Sequence, residues 1–343
     1  MAKELLLEVK DLHVHFPTGD GLVKAVDGLS FKVHRGETFG IVGESGSGKS
    51  VTNLTALGLT GAENARISGE ILFKGQDLLK LSKEELRRVR GKELAMVFQD
   101  PFACLHPFYR VGDQIVEAIL CHEKMPKSQA KDRTIELLKA VGIPRPGERF
   151  RDFPHQYSGG MRQRAMIAMA LVHNPDLLIA DEPTTALDVT VQAQILELIH
   201  RIKEEFDIGV ILITHDLGVI SDVADSVMVM YAGRAAELGT RDQIFHQPLH
   251  PYAWGLLESI PNIDQKGTRL LPIEGSPPSL INKPPGCAFH PRCPHRFERC
   301  DKEVPDLTDR GGDHLDACFL SIDEKRRLWA EREARRAGKK VSA

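Results

Sequence analysis

The sequence predicts an α/β fold built on a parallel β-sheet, and three observations support this prediction. A glycine-rich segment, Gly-x-x-x-x-Gly-Lys-Ser at residues 43–50, follows an apolar run and precedes a stretch suited to a helix. A second apolar run at residues 177–180 ends in two acids, as buried parallel strands do at the ligand-binding edge of a sheet. Strand-like and helix-like segments alternate between residues 94 and 214. We therefore expect strands and helices to alternate around one large sheet.

Length and composition set limits on this architecture. At 343 residues the chain suits one large domain with a smaller addition. The net charge of −3 lacks the basic excess that is usual in nucleic-acid-binding domains. The sequence also lacks a signal-peptide pattern and any apolar run of about eighteen residues. Membrane association is therefore expected to depend on a partner.

Residues 4–35 are predicted to form antiparallel strands, because apolar and polar positions alternate on both sides of a turn at residues 18–21. Phe16 lies just before this turn. Its ring could stack on an adenine base, or it could be an ordinary aromatic residue of the core or sheet edge. The sequence leaves both interpretations open.

The glycine-rich segment has the pattern of a phosphate-binding loop. Glycines let successive backbone N–H groups point at phosphate oxygens, and the helix that follows adds partial positive charge. Lys49 is expected to reach the β- and γ-phosphates of a nucleotide, and Ser50 to ligate Mg²⁺. The predicted nucleotide-binding residues of the loop are Gly43, Glu44, Ser45, Gly46, Ser47, Gly48, Lys49 and Ser50.

Polar residues stand at the ends of several other predicted elements. A strand over residues 94–98 ends at Gln99, whose amide can donate to a phosphate or to magnesium-bound water. Residues 110–175 are predicted to be helical. Within them, Ser-Gly-Gly at 158–160 opens a long helix, and the N-terminus of such a helix favours an anion. Strand-end glutamines and capped helix starts are both common, so neither identifies a site alone.

The two acids after the apolar run are Asp181 and Glu182. Asp181 suits a Mg²⁺ ligand, and Glu182 can polarise the water that attacks the γ-phosphate. A helix is predicted over residues 189–206 and a strand over residues 210–214, followed by His215, which can donate to the γ-phosphate. A lone histidine is usually structural, so its role depends on the neighbouring motifs.

Taken in order and spacing, these motifs resemble those of the nucleotide-binding subunits of ABC transporters over residues 4–260. The serine–glycine–glycine signature is specific to that family. Segments 181–190 and 231–234 and the His-Pro-Tyr at residues 250–252 are similar to its dipeptide and oligopeptide importer branch. Besides the phosphate-binding loop, the residues that carry the resemblance are Gln99, Ser158, Gly159, Gly160, Asp181, Glu182, Asp188 and His215.

The resemblance implies a P-loop NTPase cassette over residues 4–260, with a RecA-like parallel core, an antiparallel β subdomain and a helical subdomain at about 100–175. A C-terminal extension would follow over residues 261–343. Two cassettes would enclose ATP head to tail, and its hydrolysis with release of phosphate would let them part. One face would hold ATP and Mg²⁺ with the phosphate-binding loop and the catalytic set; Ser158, Gly160 and Asp188 would act across the interface. The implied catalytic set is Glu182, His215 and Gln99.

The resemblance further implies an ATPase that energises the import of dipeptides or oligopeptides at the cytoplasmic face of the cell membrane. The implied partners are a second homologous ATPase, two transmembrane permeases and an extracytoplasmic peptide-binding protein, with no nucleic acid. A soluble ABC ATPase of nucleic-acid repair or translation is the alternative, but it predicts twin cassettes or a long coiled-coil insertion. A non-enzymatic scaffold is the third reading, and the intact catalytic residues oppose it.

Four cysteines lie in the last fifth of the chain with the spacing C-x5-C-x6-C-x17-C, after a proline-rich linker. Without an export signal, such a group favours a metal site over disulfides. Zinc sites favour C-x2-C pairs, which are missing, whereas wide spacing suits a [4Fe–4S] cluster, as it does in the importer branch. Zn²⁺ and free thiols remain alternatives. The expected ligands, in a small cysteine-rich lobe, are Cys287, Cys293, Cys300 and Cys318.

Overall fold

The computed structural model describes residues 3–60, 64–185, 187–259 and 273–336. The strands are β1 (Leu5–Thr18), β2 (Gly21–His34), β3 (Thr38–Val42), β4 (Arg66–Phe73), β5 (Gln76–Asp77), β6 (Leu94–Val97), β7 (Leu177–Asp181), β8 (Gly209–Thr214), β9 (Ser226–Tyr231), β10 (Arg234–Thr240), β11 (Thr308–Asp309) and β12 (Leu315–Asp316). The helices are α1 (Lys49–Ala56), α2 (Lys83–Val89), α3 (Pro101–Cys104), α4 (Val111–His122), α5 (Lys127–Ala140), α6 (Pro146–Arg149), α7 (Gly159–Ala170), α8 (Val189–Phe206), α9 (Leu217–Val223), α10 (Arg241–His246), α11 (Pro251–Glu258) and α12 (Ile322–Arg336).

The larger sheet has the strand order β11-β12-β10-β9-β3-β8-β7-β6. Its strands from β9 to β6 are parallel, and antiparallel pairs extend the sheet at the β10 side. Strands β3, β7 and β8 are buried along their whole length, which explains their nearly continuous apolar sequences. The carboxyl ends of parallel strands meet at one edge, so the residues after β3, β6, β7 and β8 are brought together there. The predicted α/β fold with a parallel core is confirmed.

The smaller sheet is antiparallel, with the order β2-β1-β4-β5. Its first two strands pair down to Thr18 opposite Gly21, so the predicted turn at residues 18–21 is present. The sheet packs on one face of the larger one, where the Phe31 ring stacks on that of Phe39 with centroids 5.2 Å apart. Helices α3, α4, α5 and α7 contribute to a second apolar cluster on the other face.

The C-terminal segment, defined here as residues 273–336, does not form the separate cysteine-rich lobe that the sequence predicts. Its strand β12 pairs with β10 and thereby extends the larger sheet. Phe289 is buried in the same apolar cluster as the parallel strands, and Trp329 of α12 packs on Trp254 of α11. A segment of this size buries too little surface to make its own core, so it shares the core of the cassette. The domain boundary predicted at residues 260 and 261 lies outside the described residues.

A buried ionic group attaches the C-terminal segment to the sheet. The fully buried Lys325 donates to Asp316 Oδ2 at 2.6 Å, and Arg310 donates to Asp316 Oδ1 at 2.7 Å. Glu237 of β10 is also fully buried; it accepts from the backbone N–H of His250 at 2.8 Å and faces His314 Nε2 at 2.8 Å. These charged groups are paired, as buried charges must be, and they fix β12 and the start of α11 to the same strand.

His250 makes the stability of this region depend on pH. Its buried Nδ1 accepts the backbone N–H of Tyr252 at 3.0 Å and so caps α11. Burial lowers the pKa of His250 to about 4, whereas an unfolded histidine titrates near ~6.5. Between these values the unfolded chain binds a proton that the folded chain does not. The contribution of His250 is therefore complete above the unfolded pKa and is lost as the pH falls towards the folded one.

We expect the contribution of His250 to lower the free energy of unfolding by roughly 2 kcal/mol when the pH falls from neutral to about 5. His250→Asn keeps a side-chain acceptor at the N-cap but cannot titrate, so its unfolding free energy should change less over the same interval. Burial raises the pKa of Glu237, which acts in the opposite sense but is common to both proteins. Urea unfolding at the two pH values measures the difference; identical pH slopes in the two proteins would show that His250 is not the cause.

Candidate active site

The phosphate-binding loop connects β3 to α1 and requires glycine at both ends. Gly43 has φ +153°, and a Cβ there would lie 2.3 Å from the carbonyl oxygen of Met230. Gly48 has φ +102°, and a Cβ there would lie 2.4 Å from the carbonyl oxygen of Ala25. Both positions are held by neighbouring backbone, so a side chain would displace the loop.

The interior of the loop has the groups that a phosphate needs. Gly46, at φ +78°, has open space where a Cβ would stand, so the backbone is accessible there. The buried Ser47 hydroxyl has no hydrogen-bond partner among the described residues. Lys49 is buried, and its ammonium donates to the carbonyl oxygens of Gly43 at 2.7 Å and Glu44 at 3.0 Å. Burial lowers the pKa of Lys49, and the carboxylates of the site oppose that shift.

Ser50 and Asp181 place two oxygen groups side by side beneath the loop. The Ser50 hydroxyl donates to Asp181 Oδ1 at 3.1 Å. Burial raises the pKa of Asp181, and the hydrogen bond from Ser50 partly offsets that rise. A hydroxyl and a carboxylate are ligands that Mg²⁺ prefers, so this pair fits the predicted magnesium site.

Glu182 lies where three strand ends converge. Its Oε2 accepts from Gln99 Nε2 at 2.8 Å and from Thr185 Oγ1 at 2.9 Å, and its Oε1 lies 3.2 Å from His215 Nδ1. Gln99 follows β6, Glu182 follows β7 and His215 follows β8. Glu182 has φ +45°, an unfavourable value for a non-glycine residue, and its N–H is held by the Ile213 carbonyl at 2.9 Å. The three predicted catalytic residues therefore form one cluster.

Thr185 belongs to this cluster but was not predicted from the sequence. Its hydroxyl reaches Glu182 because the chain turns tightly after β7, with the Thr185 N–H donating to the Glu182 carbonyl at 3.2 Å. A hydroxyl residue three positions after a strand-end acid was the only available signal, and it is a weak one.

The signature residues lie at the start of α7, apart from the Glu182 cluster. Ser158 caps this helix by accepting from the Met161 N–H at 3.3 Å. A Cβ on Gly160 would lie 2.8 Å from Val191 Cγ1, so glycine lets α8 approach α7 closely. Asp188 caps α8 by accepting from the Val191 N–H at 2.9 Å. Within the described ranges no hydrogen bond joins Ser158 or Asp188 to the phosphate-binding loop.

Two of the predicted nucleotide contacts, Gly159 and Phe16, lie against apolar residues in the structure. A Cβ on Gly159 would lie 3.6 Å from Leu187 Cδ2, which is an ordinary van der Waals distance. Phe16 is half-buried near the end of β1, opposite Val23, and packs against the apolar cluster between the two sheets. This position is compatible with stacking on a base and with a structural role, so the adenine contact stays a prediction.

The four C-terminal cysteines surround a cavity of only about 20 Å³, which has room for about one water molecule. Burial raises the pKa of Cys293 to about 11 and that of Cys318 to about 12. Among the residues that the structure describes, the only histidine, cysteine or carboxylate group with at least three ligand atoms within 4.8 Å of one another is His13, His15 and Asp27.

That histidine–aspartate group is an ionic centre. Asp27 faces Lys283 at 3.3 Å and Arg234 at 3.6 Å through its second oxygen. Although burial opposes the shift, these cations lower the pKa of Asp27 to about 2. One ammonium and one guanidinium group already face the same carboxylate, and these two positive charges disfavour the binding of a metal cation.

Comparison with known proteins agrees with these features. The family model described as ABC transporter matches residues 26–185, and that described as the C-terminal region of oligopeptide/dipeptide transporters matches residues 236–300. The dipeptide transport ATP-binding protein DppD of Bacillus subtilis is 55% identical over 92% of this chain and 95% of its own length. The oligopeptide transport ATP-binding protein OppD of Salmonella typhimurium is 50% identical over 93% of this chain and 95% of its own length.

Solved structures show the same cassette. A dimeric post-hydrolysis state of the ATP-binding cassette MJ0796, bound to ADP and Pi, has a TM-score of 0.61 and 25% identity, and it covers 69% of this chain and 99% of its own. CbiO1 of Clostridium perfringens, part of the transporter complex cbiONQ, has a TM-score of 0.59 and 30% identity, and it covers 71% of this chain and 92% of its own.

These findings overturn the prediction of a [4Fe–4S] cluster at the four cysteines. The relatives are named as ATP-binding proteins of peptide transport, with no mention of iron or sulfur. In the described part of the chain the four cysteines line one small cavity, but no three of their sulfur atoms lie within 4.8 Å of one another. The spacing of the cysteines along the sequence does not give the distances between their sulfur atoms in the fold. The Zn²⁺ alternative stays a prediction.

Family membership follows from the length and level of the sequence match. None of the helices in the described ranges combines the length and the apolarity needed to cross a bilayer. The relatives match both the cassette and the C-terminal segment at about half of all positions, over more than nine-tenths of the chain. This chain belongs to the ABC transporter family of ATP-binding proteins, in the branch that includes the ATP-binding proteins of dipeptide and oligopeptide transport.

Proposed function

We propose that this chain is the ATP-hydrolysing subunit of a membrane importer of peptides. The convergence of Gln99, Glu182 and His215 beside an intact phosphate-binding loop supports the ATPase activity. Relatives named for dipeptide and oligopeptide transport support the peptide substrate. A nucleic-acid-associated ATPase has no comparable support, because the chain has a net charge of −3 and matches one cassette with an importer-type C-terminal region.

In this proposal each residue of the site has a chemical task that its geometry supports. The loop N–H groups and Lys49 would bind the triphosphate. Ser50 and Asp181 would hold Mg²⁺, which would supply positive charge against the phosphates. Glu182 accepts the proton of the attacking water. Gln99 and Thr185 hold one of its oxygens in place, which leaves the carboxylate in a fixed orientation. His215, whose side chain is exposed beside Glu182, donates to the γ-phosphate.

A second cassette completes the site in this proposal. Ser158, Gly160 and Asp188 lie away from the loop of their own chain, at the exposed starts of α7 and α8. The neighbouring Val189 is 82% exposed, which suits a residue that a partner covers. A helix N-terminus favours phosphate, so these residues would cap the γ-phosphate held by the opposite chain. The partner is a homologous ATPase subunit, and the dimeric cassette with ADP and Pi is a similar arrangement.

A groove beside the site suits a contact with the permeases. A cavity of about 860 Å³, with mostly apolar walls that include Leu57, Phe98 and Met166, lies between the larger sheet and helices α3, α4 and α7. Ser50, Gln99 and Asp181 line the same cavity, so an inserted segment would lie next to the magnesium and catalytic residues. We assign this groove to a segment of one of two permeases, at the cytoplasmic face of the membrane. An extracytoplasmic peptide-binding protein would deliver the substrate.

The proposal is tested by the ATPase rate of the purified complex in lipid nanodiscs. Its components are this chain, a homologous ATPase, two permeases and the peptide-binding protein. We expect peptide-loaded binding protein to stimulate phosphate release above the rate with unloaded binding protein. Hydrolysis that responds to added nucleic acid, and not to the loaded binding protein, would favour the alternative class instead.

A further inference from the structure

The C-terminal segment reaches the phosphate-binding loop through one side chain. Arg292 donates from Nη1 to Glu44 Oε2 at 2.6 Å and from Nη2 to Glu44 Oε1 at 3.0 Å. Such a two-pronged arginine–carboxylate contact fixes the orientation of both groups. The Arg292 side chain is 5% exposed, so solvent screens this pair far less than a surface ion pair.

Arg292 is itself held in place. Its Nε donates to the Glu274 carbonyl at 3.0 Å, and its Nη1 also donates to the Tyr231 hydroxyl at 3.2 Å. The hydrogen bonds that Arg292 donates to Glu44 and Tyr231 raise its pKa, although burial opposes this, so the guanidinium stays charged. The arginine is therefore a fixed support for the loop.

A second contact holds the backbone of the same loop residue. The Glu44 N–H donates to the Tyr252 hydroxyl at 2.9 Å. The rings of Tyr231 and Tyr252 pack together with centroids 4.5 Å apart, and Phe289 of the C-terminal segment contacts both at 5.3 and 5.4 Å. Glu44 is thus held at its side chain and at its backbone by residues that lie far along the chain.

Glu44 also connects this support to the phosphate-binding lysine. Its carbonyl oxygen accepts from Lys49 Nζ at 3.0 Å, while its carboxylate is bound by Arg292. Without the arginine, a free carboxylate would stand in a loop whose N–H groups must face a triphosphate. The repulsion between that carboxylate and the triphosphate, together with a less ordered loop, would weaken nucleotide binding.

We propose that Arg292 is a positioning residue through which the C-terminal segment sets the affinity of the phosphate-binding loop for MgATP. This inference rests on the proposed function, because it assumes that the loop binds ATP. Coupling between two sites is reciprocal, so MgATP must in turn stabilise the C-terminal segment. The C-terminal segment then stabilises the binding conformation of the phosphate-binding loop.

The first test compares variants of the full chain in the assembled complex. Arg292→Met should raise the Kd of MgATP about tenfold and raise KM for hydrolysis by a similar factor, with a smaller change in kcat. Arg292→Lys, which keeps the charge but not the two-pronged contact, should lie between this variant and the wild type. Arg296→Met is the matched control, because Arg296 is an exposed arginine of the same segment, and its Kd should equal that of the wild type.

The second test separates positioning from a general loss of structure. In Arg292→Met the unpaired Glu44 carboxylate causes part of the defect, so Glu44→Gln combined with Arg292→Met should bind MgATP more tightly than Arg292→Met alone. A merely structural arginine would show additive losses instead. Hydrogen exchange over residues 287–300 should slow when MgATP binds to the wild type and should be unchanged by MgATP in Arg292→Met.

The outcomes are distinguishable. If the wild-type complex binds no MgATP, the proposed function fails. If the wild type binds MgATP and Arg292→Met binds it equally well, the proposed function stands and the role of Arg292 is refuted. If Arg292→Met does not fold, Arg292→Lys and its combination with Glu44→Gln provide the same comparison, and an unchanged Kd in Arg292→Lys with additive effects in the double variant refutes the inference.

Discussion

Glu182→Gln is expected to leave MgATP binding intact and to lower the hydrolysis rate by roughly 10²- to 10⁴-fold. Glutamine has the same shape and can still accept from Gln99 and Thr185, so the geometry around the turn after β7 should persist. It cannot accept the proton of the attacking water. Phosphate release by the complex measures the rate, and equilibrium titration with a fluorescent ATP analogue measures binding.

Glu197→Gln is the matched control for this substitution. Glu197 is an exposed acid on α8, outside the cluster of strand ends, and its removal changes charge by the same amount. We expect wild-type hydrolysis from this control. A Glu182→Gln complex that hydrolyses ATP at a rate close to the wild type would remove Glu182 from the role of general base, whatever its effect on binding.

Lys49→Ala is expected to weaken MgATP binding by at least about 30-fold, because truncating one partner of a buried charge pair costs roughly 2–5 kcal/mol. The ammonium donates to the carbonyls of Gly43 and Glu44, and it is a buried cation that interacts with the carboxylates of Asp181 and Glu182. Its loss removes the phosphate contact and leaves Asp181 and Glu182 facing the triphosphate without compensation. Hydrolysis should fall along with binding.

Lys302→Ala is the control for Lys49→Ala. Lys302 is an exposed lysine in the C-terminal segment that pairs with Glu298, so its removal should not change the Kd of MgATP. The same titration compares the two variants. Wild-type affinity in Lys49→Ala would contradict the assignment of the loop as the phosphate site.

The parts of the site that were predicted correctly depend on local sequence patterns. The bounds predicted for α8 match the structure, because this helix has an aspartate cap and an apolar periodicity, and the apolar run before the glycine-rich segment is β3. The resemblance to ABC ATP-binding subunits implied that Gln99, Glu182 and His215 act together, and they meet in the structure because the ends of parallel strands share one edge.

The parts that were missed depend on contacts between distant segments. Arg292 and Glu44 are 248 positions apart, and nothing in either local sequence indicates the other. The pairing of β12 with β10 is equally remote, so the C-terminal segment was wrongly predicted to be a separate lobe. For the four cysteines, spacing suggested a ligand set, but the distances between their sulfur atoms depend on how the C-terminal segment packs into the apolar cluster that contains Phe289.

Peptide uptake by proteoliposomes tests the central claim most directly. The full complex is reconstituted with this chain either as the wild type or as Lys49→Ala, and accumulation of a labelled peptide is followed with ATP supplied to the face that carries the ATPase subunits. We expect accumulation that requires hydrolysable ATP and is lost in Lys49→Ala. Accumulation at the wild-type rate in Lys49→Ala, or with a non-hydrolysable analogue, would contradict it.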